Sequence, residues 1–201
     1  MVRRLLTSIL VAIAALSGAA RAGAEEERLR VAVPEDWTTV PSVEQGEVRL
    51  EQFLPPGQSV NDWVEMIMVV THLGAGGMDP AAAAGALVQA SETTCGETAM
   101  APPGSGEING RPMVALVLAC RDPVAIEGAV AQVKRFEVTG AMVIQGAANL
   151  YFVQRSWHGD EADADLEALA ERHARDWTPF FRTGIEFCET GWLGESCAAL
   201  Q

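Results

Sequence analysis

The chain reads as an α+β domain, a mainly antiparallel sheet covered by helices. Two observations carry this reading. Strand-like segments in the second half follow one another across short turns, which implies hairpins, and strands interleave with helices without the regular βαβ rhythm of a parallel sheet. Two further segments carry helix signals, near residues 79–92 and 162–177. The 201 residues are 49% hydrophobic, enough for one domain with a real core and too apolar for a disordered chain.

The N-terminus comes first in order. Arg3 and Arg4 form a basic head, residues 5–16 are apolar, and Ala20-Arg21-Ala22-Gly23-Ala24 precedes Glu25-Glu26-Glu27. This is the pattern of a secretory signal peptide, with cleavage expected after Ala22 or Ala24. The apolar run is shorter than the roughly 20 residues that span a bilayer. Residues 25–201 are therefore expected to form one periplasmic or secreted domain with no integral membrane segment. A short C-terminal lobe covers about 180–201.

Residues 28–33 alternate apolar and polar and predict a first strand, followed by a turn at Pro34-Glu35-Asp36-Trp37. Residues 47–54 predict a second, ended by Pro55-Pro56-Gly57. Residues 59–66 suggest a short helix capped by Ser59 or Asn61. The β-branched run at 67–73 is a strand, broken by Gly74, Gly76 and Gly77. Asp79-Pro80 is a helix start, an N-cap acid followed by proline at the first helical position. The alanine-rich run to about Glu92 follows. Residues 102–110 are expected as a loop with a hairpin signal at Asn109-Gly110. Residues 113–120 are apolar without alternation, as in a central strand covered on both faces. Residues 130–139 and 141–145 suggest two strands around Gly140, and 149–157 another. The last helix, 162–177, places Leu166, Leu169, Ala170, His173 and Trp177 on one face, with Pro179 ending it.

Four cysteines follow the signal segment: Cys95, Cys120, Cys188 and Cys197. In an oxidising compartment an even count suggests two disulfides. Of the three pairings, Cys95–Cys120 and Cys188–Cys197 are favoured because each is local. No pair has C-x-x-C spacing and no histidine lies close in sequence, so structural staples outweigh a metal or redox site.

The chain carries 14 basic and 27 acidic residues, a net charge of −13. Removing Arg3, Arg4 and Arg21 with the signal leaves 11 against 27, or −16. Such a field repels phosphate backbones and disfavours nucleic acid as a partner; it suits a cationic protein or plain solubility.

No catalytic, metal or cofactor motif stands out, and no cofactor is expected. His72, His158 and His173 are the candidate bases. His173, on the apolar face of the last helix, reads as a packed core histidine. Nothing in their spacing brings the three together. Of five tryptophans, Trp63, Trp157 and Trp177 occupy core-like positions. Trp37 and Trp192 lie in turns and are the candidate surface anchors. Arg155 faces solvent or pairs with Asp62 or Glu65.

Three features together carry a resemblance: Phe53-Leu54-Pro55-Pro56-Gly57-Gln58 followed by Asp62-Trp63-Val64-Glu65-Met66, the Cys95/Cys120 pair, and Leu150-Tyr151-Phe152-Val153-Gln154-Arg155-Ser156-Trp157. The chain resembles small secreted bacterial proteins of unknown function. Its element order is similar to the PsbP-like fold of photosystem extrinsic subunits and DcrB-type envelope proteins. The resemblance implies a non-enzymatic helper or binding domain. The leading expectation is an exported domain that binds a protein partner or assists envelope assembly. The alternatives are an acidic inhibitor or immunity protein against a basic toxin or hydrolase, and a hydrolase using histidine and carboxylates.

Overall fold

The computed structural model describes residues 27–123, 135–160 and 165–188. Among these the chain forms β1 Arg28–Val31, β2 Thr38–Gln45, β3 Val48–Leu54, β4 Glu65–His72, α1 Pro80–Thr94, β5 Glu97–Ile108, β6 Arg111–Arg121, β7 Phe136–Gln145, β8 Leu150–Gly159, α2 Leu166–Thr183 and β9 Ile185–Cys188. Seven strands make one antiparallel sheet in the order β2-β3-β4-β8-β7-β6-β5, and β1 pairs with β9 in a small separate ladder.

The expected α+β balance needs correction. Strand accounts for 51% of the described residues against 23% for helix, so their architecture is mainly antiparallel β with two helices. Glycine and proline hid much of the strand. Residues 102–110 do not form a loop. β5 runs through Pro102-Pro103-Gly104 with a register shift between Ala101 and Gly104, and only then reaches the turn. β2 likewise carries Pro41 inside a shift between Val40 and Val43. Both are edge strands, where a residue without an N–H leaves no ladder bond unmade. The bulges also blunt the two edges against pairing with other chains.

The two strands expected around Gly140 are one, β7. Gly140 sits under α2: a Cβ there would lie 2.8 Å from a Trp177 ring carbon and 2.9 Å from one of Phe181. Residues 59–66 form no helix; the Gln58 side chain accepts from the Val64 and Glu65 amides and holds an irregular turn that leads into β4. Pro179 does not end α2, which continues to Thr183 because Phe181, in that last turn, is buried on the sheet. Asn109-Gly110 does turn a hairpin, both residues having positive φ.

Among the described residues one disulfide is present, Cys95–Cys120, with Cα atoms 5.5 Å apart, and not the two expected. It joins the C-cap of α1 to β6. Cys188 ends β9 opposite Arg28. The remainder of the expected C-terminal lobe, with Cys197 and Trp192, lies outside the described residues, as does the expected signal segment.

The helices take opposite faces of the sheet. α2, capped by the Asp165 side chain, buries Leu169, Ala170, Trp177 and Phe181 against Val117, Val138, Met142 and Val153. α1, capped by Asp79, buries Ala83 and Ala84 against Leu116, Leu118, Ala141 and Val143. Small α1 side chains let that helix sit close to the strands. Both helices lie over β5, β6 and β7.

Candidate functional site

Strand alternation decides which side chains share a face. On the α1 side, the positions of β2, β3, β4 and β8 include Val40, Val43, Leu50, Met68, Val70 and Phe152. Gln52, Gln154 and His72 are interspersed among them. None of the positions on this face of the four strands is Asp, Glu, Lys or Arg. The opposite face carries the charges, with Glu44 paired to Arg49 at 3.1 Å and Glu65 to Arg155 at 3.2 Å. α1 reaches only as far as Phe152, and no described helix lies over β2, β3 or β4 on this side. Val43 is 55% exposed, and Leu50, Met68, Val70 and Phe152 are half-buried. Four strands about 4.8 Å apart, each showing three alternate positions, present on the order of 300–400 Å².

One end of this face is closed by a polar cluster. Trp63 stacks on His158 with ring centroids 3.6 Å apart, above the small core of Leu54, Met66 and Val40. The Glu137 carboxylate lies 3.0 Å from His158 Nε2, but the angle is not that of a hydrogen bond. The other Glu137 oxygen accepts from the Thr139 hydroxyl at 3.2 Å, and Thr139 and Ser156 hydroxyls are 3.0 Å apart. A carboxylate only accepts, so the Thr139 proton goes to Glu137 and Ser156 donates to Thr139. Ser156, 4% exposed, thus hands its proton away from His158. The cluster orders β7 and β8 and does not present a nucleophile beside a base. Beside it, a cavity of about 220 Å³ is lined by Ser91, Thr94, the disulfide, Glu137 and Thr139. A second, of about 200 Å³, lies under α2 near Met113, Met142 and Phe181. Both are smaller than the roughly 300 Å³ at which ligand pockets begin.

At the Leu150 end of β8, on the α2 side with Tyr151, lies a junction of backbone and carboxylate. The Glu27 carboxylate accepts from three successive amides of the β7–β8 turn, Ala147 at 2.5 Å, Ala148 at 2.9 Å and Asn149 at 3.2 Å. Three N–H groups converging on one anion form a nest. A Cβ on Gly146 would collide with this carboxylate. Buried Asn149 accepts from the Gly74 amide and donates to the Tyr151 hydroxyl. Burial is the main cause that raises the Tyr151 pKa; the Asn149 hydrogen bond opposes it, and the Glu27 charge adds to it.

The histidines stand apart. His72 and His158 lie at opposite ends of the β4–β8 pair, since His72 faces Leu150, roughly 26 Å of strand from His158. His158 is in β8. His173 is on the other side of the sheet, its ring between Trp157 and Trp177 at 5.2 and 4.6 Å. Among the described residues no group of three His, Cys, Asp or Glu could hold a metal. Trp37 is half-buried, its amide donating to Pro34 in the turn before β2. Trp63 is buried, but in a turn and not a helix. Arg155 pairs with Glu65 and lies over Trp177 and Phe180 at 5.8 and 5.6 Å. The uncharged face was legible only as alternation within strands whose order the sequence does not reveal.

Among the described residues, no helix is long and apolar enough to cross a membrane. No protein-family model matches the chain, and no curated protein is similar to it. Among solved structures it is similar to a protein of unknown function, PA94 from Pseudomonas aeruginosa, at 12% identity and a TM-score of 0.43, covering 75% of this chain and 86% of that one. That likeness is too distant to assign a family.

Proposed function

We propose that this protein is an exported, non-enzymatic binding domain that engages a protein partner, in envelope assembly or a related task, through the uncharged face of β2, β3, β4 and β8. The observation that carries the reading is the charge asymmetry of the sheet. A chain of net charge −13 keeps Asp, Glu, Lys and Arg off one half-face, and no described helix lies over β2, β3 or β4 there. The largest apolar patch on a typical monomer is about this size and is often functional. The export pattern at the N-terminus and the Cys95–Cys120 bridge support an oxidising compartment. The inhibitor reading shares the surface and differs in what it binds; the overall negative charge favours a cationic target for it.

The test places one lysine on each face. Val43→Lys and Met68→Lys are expected to abolish capture of a stoichiometric partner by the tagged protein, while Thr39→Lys, on the opposite face of β2, retains it. All three variants should keep the wild-type circular dichroism spectrum. Retention of the partner by both face variants sinks the proposal.

A further inference from the structure

We infer that the element received by this face is a single basic amphipathic helix of about five turns, an inference that rests on the binding role proposed above. Three observations converge on that occupant. The first is shape. α1 stands one helix layer above the sheet over β5, β6 and β7, so its flank forms a wall about 10 Å high beside the bare strands. A helix is about 10–12 Å across, and one laid against that wall completes the layer. β2, β3 and β4, of eight, seven and eight residues, run for about 25 Å, the length of about 17 helical residues.

The second is area. A second globular copy needs roughly 800 Å² from each partner for a stable interface. The bare face offers on the order of 300–400 Å², which one helix covers and a globular body does not fill. The third is charge. The floor carries no Asp, Glu, Lys or Arg, so the docking stripe of the helix must be largely apolar. The four corners are acidic and exposed: Glu47 in the β2–β3 turn, Asp79 at the start of α1, Asp62 before Trp63 and Glu92 near the end of α1. Lys or Arg on the flanks of a docked helix reaches them; acidic flanks are repelled.

The experiment uses the protein with its disulfide intact and two synthetic peptides of about 18 residues, one Leu/Lys amphipathic helix and one Leu/Glu helix of the same pattern. Chemical-shift perturbation is read at Val43, Leu50, Met68, Val70 and Phe152. The Leu/Lys peptide is expected to shift these five residues and gain helicity on binding. Its affinity should fall at least tenfold with Met68→Lys and with Val43→Lys, an edge position that tolerates the change, and the Leu/Glu peptide should bind at least tenfold more weakly. Equal binding to the lysine variants, shifts confined to the α2 side, or no preference between the peptides overturns the inference. If the captured partner still depends on Val43 and Met68 while the Leu/Lys peptide does not bind, the binding role stands and the helix does not.

Discussion

Glu27 shows how one side chain ties the segment before β1 to the sheet. Its carboxylate fills three backbone donors of the β7–β8 turn that would otherwise need water. Glu27→Gln keeps the size and removes the charge. It is expected to lower stability by about 1–2 kcal/mol, the difference between charge-assisted and neutral hydrogen bonds over several donors. The urea unfolding midpoint measures this, and an unchanged midpoint would mean that water serves the nest equally well. Tyr151 beside it gives a pH dependence with a definite sign. Its folded pKa is raised, by burial above all. The protonated phenol is therefore favoured in the folded state, and the stability tied to it is complete below the unfolded value near 10. It is lost as pH rises beyond that, because only the unfolded chain ionises freely, at up to about 1.4 kcal/mol per pH unit. Tyr151→Phe should flatten this alkaline limb of the stability curve; an unchanged limb would assign it to other groups.

At the level of elements, α1 is built from small residues for two unlike reasons. Ala83 and Ala84 are buried because the helix must approach the strands. Gly85 has no such reason, since a Cβ there would meet nothing within 4 Å. Glycine in an exposed helix interior costs about 0.5–1 kcal/mol relative to alanine. Gly85→Ala should raise the melting temperature by a few degrees, and a lowered one would show that the position is tighter than it looks. The edge strands follow a different logic. β2 and β5 place Pro41 and Pro102-Pro103 at register shifts, so features that read as breaks in the sequence are what an edge can carry. The hairpin at Asn109-Gly110 and the cap at Asp79 were readable because their chemistry is local; the cap of α2 at Asp165 was not, since the apolar periodicity suggested an earlier start.

For the molecule as a whole, the Cys95–Cys120 bridge matters most where it spans the longest constraint. It closes 25 residues and ties α1 to β6, so its main effect falls on the unfolded chain. Replacing both cysteines with serine should cost about 3–4 kcal/mol by loop-closure entropy. A denaturant series on the double variant measures it, and a loss under about 1 kcal/mol would mean that the unfolded chain stays compact without the bridge. The distribution of charge is also a property of the whole. Alternation places Arg49, Glu44, Glu65 and Arg155 on one side of β2, β3, β4 and β8 and no Asp, Glu, Lys or Arg on the other, but only the order β2-β3-β4-β8 turns separate uncharged positions into one surface.

Local chemistry in the amino-acid string sufficed for β3, β4, β6 and β8, the start of α1, the tight Asn-Gly turn, the buried face of α2 and the bridge between Cys95 and Cys120. Periodicity, capping and turn preferences act over a few residues, and a bridge local in sequence needs little more. The edge strands, the passage of β7 through Gly140, the extension of α2 past Pro179 and the uncharged half-face were settled only in three dimensions. Each depends on what lies across the sheet: an open edge beside Pro41 and Pro102, the Trp177 and Phe181 rings over Gly140, and four strands brought side by side from residues 38–45, 48–54, 65–72 and 150–159. Long-range packing overrides local propensity at such places because the burial it brings outweighs the fraction of a kilocalorie that a glycine or an edge proline costs.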